Sequence, residues 1–116
     1  MPGPSLSLPT LVGPYALSQH LVDDTVRGKV AGVFALSAKE GGAVNLRRIG
    51  RADDDLAAAL REFIGLYSHF SCAAADSAES AYAMECRLHH AWTLPENPSH
   101  PTRPSESAEG CPVCGK

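Results

Sequence analysis

The residues best equipped for chemistry in this chain are soft donors gathered towards its C-terminal end. Cys111 and Cys114 frame a Cys-Pro-Val-Cys stretch followed by Gly115, giving two thiolates separated by two residues. That spacing suits half of a tetrahedral metal site, and a flanking glycine lets backbone amides approach sulfur. Upstream, Cys86 and His90 are four residues apart, so on a helix both project from one face. Cys86 with His89, three apart, is the next choice, and His100 is a further donor held in reserve. The expected ligand set is Cys86, His90, Cys111 and Cys114 around a structural Zn²⁺, since four protein ligands leave no open position for reaction. The plainer alternative makes Cys86 a small buried hydrophobe and His89 and His90 solvated residues favoured by a helix C-terminus. Cys72 has no partner in this scheme and reads as core. A redox use of Cys111 and Cys114 is disfavoured, because such pairs work at helix N-termini, where the thiol pKa is depressed.

A second group with chemical potential is cationic. Arg27, Lys29, Lys39, Arg47, Arg48 and Arg51 crowd into residues 27–51, opposed there only by Glu40. The formal net charge is −3, which argues against binding nucleic acid by bulk attraction alone. A basic hairpin on an acidic body can still meet phosphate, so DNA or RNA is an expected partner, with a protein partner as the alternative. From charge alone, a solvated hairpin explains the cluster equally well.

The elements that must position these groups follow from periodicity. A short helix is expected within residues 13–26, where Leu17, Leu21 and Val22 share a side. The apolar, β-branched run at 28–38 reads as a buried strand, residues 39–42 as a turn, and 43–50 as a second strand. Alternation there would place Val44, Leu46 and Arg48 on one face and Asn45, Arg47 and Ile49 on the other. Residues 51–70 carry the clearest helical pattern: aspartates at the start, a stripe of Leu56, Leu60, Phe63 and Ile64, and a stop near Gly65. A third strand is expected at 68–75 and a second long helix at 76–92. Pro95, Pro98, Pro101 and Pro104 then recur every third residue, which excludes helix and suits an extended return loop. The expected organisation is an N-terminal extension (1–27), an α/β core (28–92) and a proline-rich loop with its cysteine pair (93–116).

At 116 residues the chain suits one domain with a modest core, for which a metal staple would help. No apolar run approaches a membrane span, and the proline-rich start lacks the basic residues of a signal or transit peptide. The expected compartment is the cytoplasm, where thiols stay reduced and metal binding is favoured over disulfides.

Several motifs occur in an order that resembles the GIY-YIG nuclease superfamily. They are Gly32-Val33-Phe34, a hairpin, Arg48-Ile49-Gly50-Arg51, a helix, and a later helix carrying residues 81–90. More narrowly, His100-Pro101-Thr102-Arg103-Pro104 and the Cys111–Cys114 pair are similar to the ending of a bacterial subgroup of that superfamily. The resemblance spans roughly residues 28–116. It implies an α+β fold, a small three-stranded antiparallel sheet flanked by helices with a zinc-knuckle tail. It also implies endonuclease chemistry, hydrolysis of phosphodiester bonds with Mg²⁺ or Mn²⁺, and Glu85 falls at the family's metal-binding glutamate. Three other positions depart from the pattern: Phe34 and Arg48 stand where tyrosines are expected, and Ala58 where an arginine is. Arg48, Arg51 and Arg61 are candidate phosphate contacts, and His89, four residues after Glu85, is a candidate base. Impaired catalysis, or a non-catalytic binding module, is the corresponding expectation.

Overall fold

A computed structural model describes residues 10–92, 94, 100–102, 104, 111 and 112. Cys114 lies outside the described residues. The elements run β1 (Val12–Ala16), α1 (Gln19–Thr25), β2 (Ala31–Glu40), β3 (Ala43–Ala52), α2 (Leu56–Arg61), β4 (His69–Ala75) and α3 (Ala78–Ala91). The strands form one antiparallel sheet in the order β1-β4-β2-β3. The class is α+β as expected, but the sheet has four strands rather than three.

The additional strand comes from the segment assigned to an N-terminal extension. Its residues are all exposed, so it carries no buried alternation for a sequence pattern to reveal. What defines it is pairing with β4, with Tyr15 opposite Phe70 and Ala16 opposite His69. The expected helix therefore begins only at Gln19, capped by the Ser18 hydroxyl, which accepts from the Leu21 amide. Leu17, Val22 and Val26 of the same segment are buried in the main core.

β2 is the central strand, and residues 31–37 are buried throughout. A strand covered on both faces reads as a continuous apolar run, as this one does. On one face Phe34, Leu36, Phe70 and Cys72 pack with Leu56 and Leu60 of α2 and Val22 of α1. On the other, Val33, Ala35 and Ile49 pack with Leu88 of α3. Glycine is required at two points of close approach. A Cβ at Gly32 would stand 2.5 Å from the Ala73 carbonyl oxygen, and one at Gly50 would overlap the Phe34 ring.

Two expectations about the site-bearing elements need correction. Along β3 the register shifts: Leu36 faces Arg48, but Ser37 faces Leu46, leaving Arg47 as the extra residue of a bulge. Leu46 and Ile49 consequently join the same cluster under α3, and Arg48 turns to the opposite face, over Phe63. Simple alternation had separated Leu46 from Ile49. The helix expected over 51–70 is also short. It starts behind the Asp55 cap and ends at Arg61. Beyond it the backbone bonds tighten to three-residue spacing, from Phe63 to Leu60 and from Ile64 to Arg61. That turn brings Phe63 against both Phe34 and Tyr67. Among the described residues, no helix is long and apolar enough to cross a membrane.

Candidate functional site

Everything of chemical interest radiates from α3. Ser77 caps it, accepting from the Ser80 amide at 3.1 Å, and Glu79 in the first turn complements the helix dipole. Consecutive helical residues point about 100° apart. Glu85 and Cys86 therefore face different surroundings.

Cys86 faces the tail. Its sulfur, a nitrogen of His100 and the sulfur of Cys111 lie within 4.8 Å of one another. Cys86 and Cys111 are buried beside Tyr82. Burial pushes the Cys86 thiol up to about 12, against the opposing hydrogen bond with Tyr82, and the neighbouring Cys111 adds to the rise. A cation among these donors would reverse that balance, because coordination deprotonates thiols. His100 Nδ1 lies 2.9 Å from the Pro101 carbonyl, which can only accept, so in the neutral tautomer the proton belongs on Nδ1 and the lone pair on Nε2. Two thiols and one oriented imidazole form a group that could hold a metal ion, and its chemistry is compatible with zinc.

Of the preferred set this group holds Cys86 and Cys111, and Cys114 lies outside the described residues. His100, the reserve, joins Cys86 and Cys111, while His90 packs its ring against His100 with centroids 5.1 Å apart. His89 completes the trio of imidazoles, 5.6 Å from His90 and 5.5 Å from His100. Burial lowers the His89 pKa, and the charges of His100 and His90 push the same way. His89 thus belongs to the imidazole corner, not to the lining of the cleft beside Glu85.

Glu85 faces the edge of β3, where it lines an open cleft of about 390 Å³. Arg51 donates to it through Nη1 at 3.0 Å and to Asp53 through Nε at 2.6 Å, with its guanidinium 5.3 Å from the Tyr82 ring centre. Both members of the Arg51–Glu85 pair are nearly buried, with side chains 12% and 13% exposed. Desolvation pushes the Glu85 carboxyl above its ordinary range, Arg51 pulls it down, and the Asp53 charge raises it again.

Arg48 lines the same cleft, stacked 5.0 Å over the Phe63 ring, with Glu62 and Thr102 beside it. Its Nε is buried and has no hydrogen-bond partner among the described residues. The cleft lining carries Arg48 and Arg51 against Asp53, Glu62 and Glu85, two positive charges against three negative. Oxygen donors with a residual negative charge suit a hard divalent cation, and once bound it would make the cleft attractive to phosphate.

The expected residues are thus only partly assembled. Glu85, Arg48 and Arg51 share the cleft. Arg61 lies elsewhere, donating through Nη2 and Nε to one oxygen of Asp23, Oδ1, at 2.7 and 3.2 Å, in a separate pocket with Arg27 and Lys29. Ala59, not Ala58, is the α2 helix residue that lines the cleft. Asp53, Glu62, Tyr82 and Thr102 were not anticipated. Asp53 is two residues beyond Arg51 and Tyr82 four before Cys86, so spacing held a signal for those two. Glu62 follows the end of α2, and nothing local marked it.

No family model, curated protein or solved structure matches the chain.

Proposed function

We propose that this chain is a divergent GIY-YIG-like protein that acts on nucleic acid, taking a phosphodiester into the cleft beside Glu85. The single observation that carries this reading is the convergence of Glu85, Arg51 and Arg48 at the edge of β3. Glu85 would hold a Mg²⁺ or Mn²⁺ ion, with Asp53 and Glu62 as neighbouring oxygen donors. Such an ion supplies Lewis-acid stabilisation of phosphoryl charge and a more acidic bound water. Arg51 and Arg48 would orient phosphate oxygens. Hydrolysis is impaired in this reading, because Phe34 lacks a hydroxyl, Arg48 replaces a second one, and Ala58 supplies no cation. Losing one such group commonly costs orders of magnitude in rate.

The tail is the second part of the proposal. A structural zinc ion held by Cys86, His100, Cys111 and, from its spacing, Cys114 would staple the chain's end to α3 as a zinc knuckle. His90 is the alternative fourth ligand. A cytoplasmic setting, where thiols stay reduced, suits that site.

A non-catalytic module is the second reading, favoured by the Arg51 contacts. Arg51 is already engaged by Glu85 and Asp53, which leaves less of it for a transition state. A protein partner rather than nucleic acid belongs to this alternative. Incubating the protein with Mg²⁺ or Mn²⁺ and labelled DNA and RNA separates the two. Slow cleavage that disappears in Glu85→Ala supports the nuclease; salt-dependent binding without cleavage supports the module; neither cleavage nor binding overturns the nucleic-acid reading.

A further inference from the structure

A second pocket adjoins the cleft and shares a wall with it. Arg48 and Phe63 line both. The second pocket encloses about 480 Å³, and Arg47, Glu40, Leu66 and Tyr67 contribute to its remaining lining. Three of its features bear on binding, beside the packing of Phe63 and Tyr67 on the main core. Leu66 is 70% exposed, the most exposed of the large apolar residues described. Phe63 and Tyr67 present a ring pair with centroids 5.9 Å apart, and the Arg48 guanidinium stacks on the first of these rings. Arg48 also keeps its buried Nε without a partner among the described residues, a cost that a ligand-binding role can justify. Two guanidinium groups against the single Glu40 carboxylate give this lining a net positive charge.

Planar π surface, apolar rim and arginine donors together describe a receptor for an unpaired nucleobase. Bases splayed out of a strand stack on aromatic rings and guanidinium planes, and arginine donors meet their exocyclic oxygens. Bases inside a duplex are stacked on each other and cannot enter. Building on the phosphate-binding reading of the cleft, we infer that this pocket holds the base of a nucleotide whose phosphate lies beside Arg48 and Arg51. The chain therefore selects single-stranded nucleic acid over intact duplex.

Binding can be measured by fluorescence anisotropy with three labelled probes: an oligothymidylate, a blunt-ended duplex and an abasic oligonucleotide of the same length. Ca²⁺ replaces Mg²⁺ so that the probes stay intact. The oligothymidylate should bind about tenfold more tightly than the other two, the yield of one stacked base. Leu66→Glu, at an exposed position where folding is not at issue, should abolish that preference, read as the ratio of oligothymidylate to duplex affinity because the added charge weakens binding of every probe. Equal binding of all three probes, or a preference unchanged in Leu66→Glu, overturns the base pocket and leaves the phosphate cleft standing. No binding of any probe overturns both.

Discussion

Two consecutive residues of α3 serve two corners that differ in nearly every physical respect. Cys86 looks into a closed corner of two buried thiols and a tyrosine ring, with the partly buried His100 at its rim. Glu85 looks into an open cleft whose guanidinium and carboxylate groups already contact one another. In the closed corner the donors are soft, and burial holds the Cys86 thiol protonated until something displaces the proton. In the open one the donors are hard, and solvent admits a ligand to groups that are incompletely compensated. On the proposed reading, the difference separates a corner that holds the protein together from a cleft that holds something else. A buried soft-donor set gains by closing around one ion, whereas a cleft with unequal charges gains by remaining accessible.

The largest effect should come from attacking the closed corner. Chelation, or Cys86→Ser, should lower zinc from near one equivalent to below about half and destabilise the domain by about 3 kcal/mol. That corresponds to a fall in Tm of roughly 10–15 °C for a chain of this size. Thermal melts and elemental analysis of protein prepared without added metal read both quantities. An unchanged Tm would mean the tail is held by packing and not by an ion.

Next in size is the loss expected from Arg51→Ala in the cleft. Removing this guanidinium leaves Glu85 without the donor it now has and raises the cleft's negative charge, so oligonucleotide affinity should fall at least tenfold. Arg61→Ala should change it by less than about twofold, because Arg61 is occupied by Asp23 in another pocket. Equal effects from the two variants would show that the whole basic surface binds, and the comparison between corners would lose its meaning.

Glu85→Gln tests the charge balance itself. Deleting one of three carboxylates should strengthen oligonucleotide binding in buffer without added divalent cation by about threefold to tenfold, while leaving zinc content unchanged. Weaker binding under those conditions would contradict the role assigned to the excess negative charge. The smallest effect concerns Cys72, which burial pushes up to about 11. A thiol with a raised pKa keeps its proton as pH rises past 9 and so lacks the nucleophilic thiolate. At pH 8 a thiol reagent should label neither Cys72 nor Cys86, which burial pushes up to about 12, until the protein is unfolded, as peptide mapping would show.

Much of the framework was legible because it depended on local patterns. β2 announced itself as an uninterrupted apolar run, the turn at Gly41 and Gly42 as a chain reversal, and α3 as a capped helix. β1 gave no such signal, since its residues are exposed and only pairing with β4 makes them a strand. The bulge at Arg47 was equally hidden. A one-residue slip reverses every later side chain, yet no residue type at that position requires it.

The candidate site divides the same way. Spacing alone placed Cys86 on a helix and paired Cys111 with Cys114 as donors, because ligand chemistry limits which residues can serve. It favoured His90 over His100 since helical neighbours are the only contacts a periodicity can foresee. Only the tertiary structure could bring His100 back from a proline-rich loop to Cys86 and Cys111, send Arg61 to Asp23, and set Glu62 in the cleft with Glu85. Those outcomes depend on where a chain returns in space, which side-chain types do not encode locally. The sequence by itself determined which donors and charges were available; the fold decided which of them meet.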